Sequence, residues 1–497
     1  MKMKKTITKI FILLLSAFTF SSCLNDFLNV QPVSQTNSDK FWKTAGDATA
    51  AFTSIYADLQ NNFKTQQGLS YIGWYEMRSD NFYGNPNSGA YYYSDINKNR
   101  LTATHPDADW NIWYKSIGTA NYAIYYLPGM KNIADVTRNN LLAEAYFLRA
   151  YCYFNIIRIW GNAPLVTKPT LSIDDVTKPA RDSSKVIMDS VIIKDINKSI
   201  ALVDVSKADV YRFNVGALYS LATDVAMWNH DYVNAEKYSY ALLYTSPTNG
   251  KYSLVSGDNF YTTVSMATTT ENIWTLKWSY QNNGYNPITQ SLSIAYVLVA
   301  KPVVDKWAST NWNKDKRRYQ TIDTLSAKTS YPSNHLTAIN NNNSMWKYQP
   351  VTRFPQNTNE KYIPLYRLAD IILLRAEALN KLGRYAEALT ELNKIRTRAG
   401  LASRKEADYA SVTDKTYAIE SDILQERQFE LLGEGKRWFD LMRTGRALTT
   451  MNSYFETYLK VYGVTNYTPF TDTWQLYWPV LQNNIIQNEN LQQTGLY

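Results

Sequence analysis

The chain has 497 residues and a formal net charge of +9. Residues 1–22 hold four lysines and no acid, so without them the excess falls to +5, with no dense Lys/Arg block of the kind that marks a nucleic-acid binder. Its three histidines, His105, His230 and His335, lack ligand spacing, which argues against a His-based metal site or a Ser-His-Asp triad, and no cofactor motif is present.

The N-terminus opens with Lys2, Lys4, Lys5 and Lys9, followed by an apolar-to-small run of eleven residues from Ile10 to Phe20. A membrane-spanning helix needs ~20 residues. The run ends in Ser21-Ser22-Cys23, a small-small-Cys exit that predicts a lipoprotein signal over residues 1–22 with lipidation of Cys23. Residues 23–38 then read as a lipid-anchored tether, and 39–497 as one large domain. Once Cys23 is acylated, Cys152 has no thiol partner, so the fold depends on burial rather than disulfides.

Helical spacing over 38–60 comes from Phe41, Trp42, Ala45, Ala48, Phe52, Ile55 and Leu59, with Ser38 as the expected N-cap. From Leu69 to Asp95 the periodicity lapses among Gly73, Gly84, Asn85-Pro86-Asn87 and Gly89. Helices are predicted again over Trp110–Leu127 and Asn140–Trp160, the latter stopped by Gly161 and Pro164. Two more follow over Ser184–Leu202 and Asn214–Leu243, with a hairpin break at Asn229-His230-Asp231. Residues 245–361 are rich in Asn, Thr, Ser and Gly, with short strand-like pieces at Ile273–Trp278 and Ala295–Val299. Helices resume at Leu365–Leu382, Tyr385–Ala399 and Ser421–Leu441. The first two, joined through Gly383-Arg384, have the mechanics of a tetratricopeptide unit. The expected fold class is therefore mainly α: tetratricopeptide-like repeats packed against an irregular, loop-rich part at about 69–95 and 245–361.

The 39 Tyr and 14 Trp are an excess, and many sit in the two irregular stretches. Aromatics on surface loops suit stacking against sugar rings or peptides. The candidate ligand-binding residues are Tyr83, Tyr91, Tyr92, Trp278, Tyr280, Tyr285 and Trp312. Asn81 and Asn283 are suitable in-plane hydrogen-bonding neighbours, since an amide both donates and accepts. Trp113, Trp160 and Trp438 lie in helical patterns and read as core, while Arg78 and Asp80 read as braces of the loop backbone. Glu426, Glu430, Glu434 and Asp440 invite a glycosidase reading. Arg427 and Arg437 among them favour a structural ion network instead, with depressed carboxylate pKa values. Arg149 and Arg375, near Glu144 and Glu377, are read in the same way.

Several segments in order resemble one family, the SusD/RagB-like outer-membrane nutrient-binding lipoproteins. They are Leu24-Asn25-Asp26-Phe27-Leu28 after Cys23, Arg78-Ser79-Asp80-Asn81, Glu144-Ala145-Tyr146-Phe147-Leu148-Arg149, Gly161-Asn162-Ala163-Pro164 and Asp315-Lys316-Arg317-Arg318. Arg367-Leu368-Ala369-Asp370 and the stretch from Leu424-Gln425-Glu426-Arg427 to Trp438-Phe439-Asp440 complete the set. Lys436 stands where His is frequent in the family, and the terminus lacks its usual Pro before Gly495. The resemblance implies a non-enzymatic, lipid-anchored protein of the outer membrane, facing the cell exterior. It implies capture of oligosaccharides, or alternatively peptides, for a SusC/RagA-type TonB-dependent transporter, with the ligand surface on the loops named above. A surface glycoside hydrolase and a protein-only helical scaffold are the competing readings.

Overall fold

A computed structural model describes residues 41–84, 95–206, 209–245, 247–260, 269–279, 286–293, 297–309, 311–322, 345, 347–348, 362–460 and 464–497. The expected leader, tether and lipidation site at Cys23 lie outside the described residues.

Helix α1 spans Ala45–Tyr75. Thr44 caps it, and Asp47 reaches back to the Thr44 backbone N–H at 2.7 Å, so two orphan donors of the first turn are satisfied reciprocally. Ala48, Phe52, Ile55, Leu59 and Phe63 recur every three or four residues and are all buried. The helix starts later than expected and runs through the stretch read as irregular from Leu69, so Trp74 and Tyr75 belong to its last turn. Gly73 is a packing residue rather than a turn signal. A Cβ there would lie 3.1 Å from Ile96 Cδ1 and 3.3 Å from an Asp107 carboxylate oxygen.

Helices α2 (Asn111–Tyr126) and α3 (Asp135–Trp160) form an antiparallel pair against α1. From Leu141 to Trp160 nearly all of α3 is buried, which makes it the central rod of the molecule. Gly161 ends it at φ 74°, a conformation that favours glycine. Trp113, Trp160 and Trp438 are core residues, as expected. Ser184–Ile187, a π-helical turn at Met188–Ile192 and α4 (Ile193–Leu202) pack along α3. The α3–α4 seam is closed by Arg149, which grips Asp195 with two bonds of 2.7 and 2.9 Å. Asp195, not Glu144, is the partner of Arg149.

The expected hairpin is α5 (Val215–Trp228) and α6 (Tyr232–Tyr244), turning at His230, φ 56°. The second repeat is α9 (Leu368–Lys381) and α10 (Tyr385–Arg398), turning at Gly383, φ 75°. α6 stacks on α9, where Arg375 pairs with Glu236 at 2.9 Å, so the repeats bury their faces on each other. Between them come α7 (Pro287–Ser293) and α8 (Lys301–Ala308). The helix expected over Ser421–Leu441 is two, α11 (Lys415–Glu430) and α12 (Arg437–Arg443). They are separated by Gly433 and Gly435 at φ 77° and 74°. A Cβ on Gly435 would come within 2.7 Å of Tyr71 Oη, so α1 sits too close for any other residue.

Six short strands form three antiparallel pairs among the described residues. These are β1 (Phe82–Gly84) with β5 (Val297–Val299), β2 (Ala163–Pro164) with β3 (Arg181–Asp182), and β4 (Asn272–Thr275) with β6 (Pro364–Arg367). β5 falls inside one segment expected to be a strand, and β4 overlaps the other, starting one residue earlier. The fold is mainly helical, and the irregular part is stitched to it by these ladders.

Candidate functional site

The β1–β5 ladder sets the geometry of the aromatic-rich segments. Its register pairs Phe82 with Val299 and Gly84 with Val297, so the chain leaves β1 toward 85–94 at the end where it enters β5. Asn97 clamps the return of that segment by donating to the carbonyls of Phe82 (3.0 Å) and Met77 (3.2 Å). On the other side, residues 286–296, α7 among them, separate segment 280–285 from β5. Asn286 begins that helix by accepting the Ile288 N–H at 3.1 Å. The ladder therefore fixes where segment 85–94 leaves the core, and α7 leads from segment 280–285 towards its other strand.

The predicted residues divide into three groups. Tyr91, Tyr92, Tyr280, Asn283 and Tyr285 lie outside the described residues. Tyr83 is half-buried on β1 and leans on the core. The remaining three, Asn81, Trp278 and Trp312, are buried. Asn81 donates to Glu76 at 3.2 Å and accepts from Gln428 at 3.0 Å, so its amide is spent on bracing the loop. Trp312 meets Phe429 in a T-shaped contact with ring centroids 4.7 Å apart, and the Arg396 guanidinium lies 5.1 Å from the centre of its ring. Trp307 stacks on Phe429 at 4.5 Å. The aperiodic sequence around Trp312 is folded down onto α11, not lifted off it.

Trp278 is 3% exposed and packs with Tyr362 and half-buried Tyr211. Tyr362 donates its hydroxyl to the Trp278 carbonyl at 2.6 Å, and its ring lies 5.9 Å from that of Tyr211. Trp278 is thus part of a floor beside segment 280–285 rather than a free platform. Sequence reasoning missed Tyr211. Its signal was an aromatic residue in the non-helical stretch just before the α5 cap, Asn214.

The charged cluster is a buried ion network, as the interleaved arginines suggested. Arg317 binds Asp315, Glu426 and Glu430 at 2.6–2.8 Å. Arg367 binds Glu271, Glu430 and Glu434 at 2.5–2.7 Å. Arg427 joins Asp370 to Asp440, and Arg443 joins Asp440 to Glu377. Glu377 is therefore the partner of Arg443, not of Arg375. Arg437 holds Asp80 at 2.8 Å, while Arg78 donates to the Gln475 carbonyl and lies 5.0 Å over Trp438. Burial alone would raise Glu430, but Arg398, Arg367 and Arg317 overcome it and hold its carboxyl well below the usual range. At Glu426 burial outweighs Arg317 and Arg396, so its pKa is raised, contrary to the sequence expectation. Glu76, on which Asn81 rests, is pushed by burial up to about 7. The carboxylates of the Arg317 and Arg367 clusters are sealed from solvent and saturated with cations, which suits structure rather than glycoside hydrolysis.

Stacked helical repeats with short strand ladders and a buried ion network describe a scaffold rather than a catalytic centre. A family model described as "SusD family" matches residues 251–497, and one described as "Starch-binding associating with outer membrane" matches 26–227. The chain belongs to the SusD/RagB family. It is 29% identical to the SusD-like protein P38 of Formosa agariphila over 534 residues, covering 100% of both chains. A crystal structure of a SusD superfamily protein from Bacteroides vulgatus superposes with TM-score 0.76 at 18% identity, covering 92% of this chain and 100% of that one. Surface glycan-binding protein A from Bacteroides thetaiotaomicron, in complex with laminarihexaose, gives TM-score 0.71 at 19% identity, covering 90% and 98%. The family's association with the outer membrane is carried in the description of the second model.

Proposed function

We propose that this protein is a lipid-anchored binder on the outer face of the outer membrane. It captures oligosaccharides or polysaccharides and hands them to a SusC/RagA-type TonB-dependent transporter, without catalysis. The observation that carries this reading is the β1–β5 ladder, whose β1 leads into the segment holding Tyr91 and Tyr92 and whose β5 follows α7 and the segment holding Tyr280 and Tyr285. A sugar ring offers an apolar C–H face for such phenols, and Asn283 supplies an amide for its hydroxyls. Tyr83 and the Tyr211–Trp278–Tyr362 floor hold the edges of that surface. The laminarihexaose bound by the Bacteroides thetaiotaomicron protein supports a glycan as the ligand class. Cys23 provides the anchor and residues 24–38 the tether, with a single domain beyond.

The test is affinity electrophoresis of lipid-free residues 24–497 through gels containing plant, host and microbial polysaccharides, with peptide pools run by calorimetry. Saturable retardation by a glycan supports the reading. Binding of peptides alone, or of nothing in either panel, overturns it.

A further inference from the structure

Glu76 stands at the C-terminal cap of α1 and is fully buried. Its carboxyl ties three elements together. Oε1 accepts the N–H of Gly435, between α11 and α12, at 2.5 Å. Oε2 accepts the side-chain amide of Asn81, just before β1, at 3.2 Å. Asn81 in turn accepts the Ala300 N–H on its backbone carbonyl at 2.8 Å, one step beyond the β1–β5 ladder. The contacts of Glu76 therefore set where β1 leaves the end of α1.

A polar relay fixes which way these amides point. Arg437 grips Asp80 with bonds of 2.8 and 2.9 Å, and an ionised carboxylate only accepts. Gln428 accordingly turns its Nε2 to Asp80 at 3.2 Å and to Asn81 Oδ1 at 3.0 Å, which leaves Asn81 its Nδ2 for Glu76. Both groups that donate to Glu76 are thus neutral N–H donors. The buried carboxylates of the Arg317 and Arg367 clusters each hold a guanidinium, whereas Glu76 has no ion pair among the described residues. Lys347 is the cation that faces it, and that ammonium is committed to Glu434 and to the Leu432 carbonyl. Glu434, Tyr71 and Tyr348 are the other titratable groups that face Glu76. Glu434 is paired with Lys347 and Arg367, and burial pushes both phenols well above their usual range.

Burial pushes the Glu76 carboxyl up to about 7, against the pull of Gly435, Asn81 and Lys347. Neutral, the carboxyl keeps acceptor capacity for both of its donors. Ionised, it is a buried charge without a counter-charge, and moving into water relieves it. We infer that Glu76 is a proton-controlled latch: neutral, it holds the base of β1 to the Gly435 turn, and once ionised it leaves its site and lets residues 77–84 and 433–436 open locally. The α9–α10 repeat contributes none of the latch's hydrogen bonds, so the opening does not spread to it. The device does not depend on what the protein binds.

The opened carboxyl titrates at its ordinary value of 4.5 and the closed one at about 7, so opening gains as pH rises from the first value to the second. The experiment is native-state hydrogen exchange of residues 24–497 at pH 5.5 and pH 8, read by mass spectrometry, with each rate divided by the intrinsic rate at that pH. Peptides covering 77–84 and 433–436 are expected to lose about tenfold or more in protection at the higher pH, while those of α9–α10 hold theirs. In Glu76→Gln, which cannot ionise, protection of 77–84 is expected to be the same at both pH values. Equal protection of 77–84 at the two pH values in the wild type, the same loss in Glu76→Gln, or an equal loss in α9–α10 would each overturn the assignment. The comparison of the two regions is made within the wild type, so the test stands even where the variant fails to fold.

Discussion

Replacing Arg317 by Met tests the ion network most sharply. The side chain is fully buried and makes four hydrogen bonds to Asp315, Glu426 and Glu430. The three carboxylates do not suffer equally. Glu426 keeps Arg396 at 3.0 Å, and Glu430 keeps both Arg367 and Arg398. Asp315 retains only neutral donors, the Arg317 backbone N–H at 2.9 Å and Trp307 Nε1 at 2.9 Å, and loses its cation outright. One buried pair is therefore broken in full, which costs ~3–5 kcal/mol, and the other two in part. The expected loss is about 4 kcal/mol, a large fraction of a typical ~5–15 kcal/mol stability. The assay is urea unfolding followed by tryptophan fluorescence at pH 7.5, comparing midpoints at constant slope. A loss below ~1 kcal/mol, the size of an exposed pair, would refute the claim that Arg317 compensates buried charge.

Three further outcomes follow from individual sites. Glu76 has its folded pKa raised from 4.5 to about 7, so its contribution to stability is full below about pH 4.5 and is lost as pH rises through 7. At ~1.4 kcal/mol per unit this is about 3 kcal/mol, and Glu76→Gln should flatten that part of the stability–pH curve. A curve of unchanged slope would contradict the burial argument. Gly435→Ala forces a Cβ to 2.7 Å from Tyr71 Oη at φ 74°. It should cost more than the ~1–2 kcal/mol of the backbone conformation alone, read from thermal unfolding. Trp312→Ala should lose ~3–5 kcal/mol of stability as a core truncation while glycan affinity of the folded protein stays within about twofold. Intact stability with lost affinity would return Trp312 to the ligand surface.

The helices were legible wherever apolar residues recur at helical spacing: α2, α3, the α5–α6 hairpin and the α9–α10 repeat lie where the pattern puts them. What escaped was tertiary in origin. Gly73 and Gly435 are small because another element approaches, in one case Ile96 and in the other Tyr71, and sequence alone reads both wrongly. Gly73 looked like a turn inside what is helix, and Gly433 and Gly435 were absorbed into a helix that they in fact end. The Glu/Arg cluster was recognisable as structural. Its organising cations, Arg317 and Arg367, come from segments more than sixty residues upstream of Glu430, a distance no local pattern spans. The candidate site was half legible. Aromatics in aperiodic sequence single out segments 85–94 and 280–285, which lie outside the described residues, while Trp278 and Trp312 show that aperiodic backbone can be folded into the core. Tyr211 was passed over because it stands alone between helices.

The central claim is that the tyrosines of segments 85–94 and 280–285 capture a glycan. The most direct measurement is calorimetry of residues 24–497 against the polysaccharide that retards it in gels, comparing wild type with Tyr91→Ala/Tyr92→Ala and Tyr280→Ala/Tyr285→Ala. Each removed stacking ring should cost ~0.5–1.5 kcal/mol, so each double variant should bind about 5–150-fold more weakly with its unfolding midpoint unchanged. Wild-type affinity in both double variants would contradict the account and move the glycan to another surface of the protein.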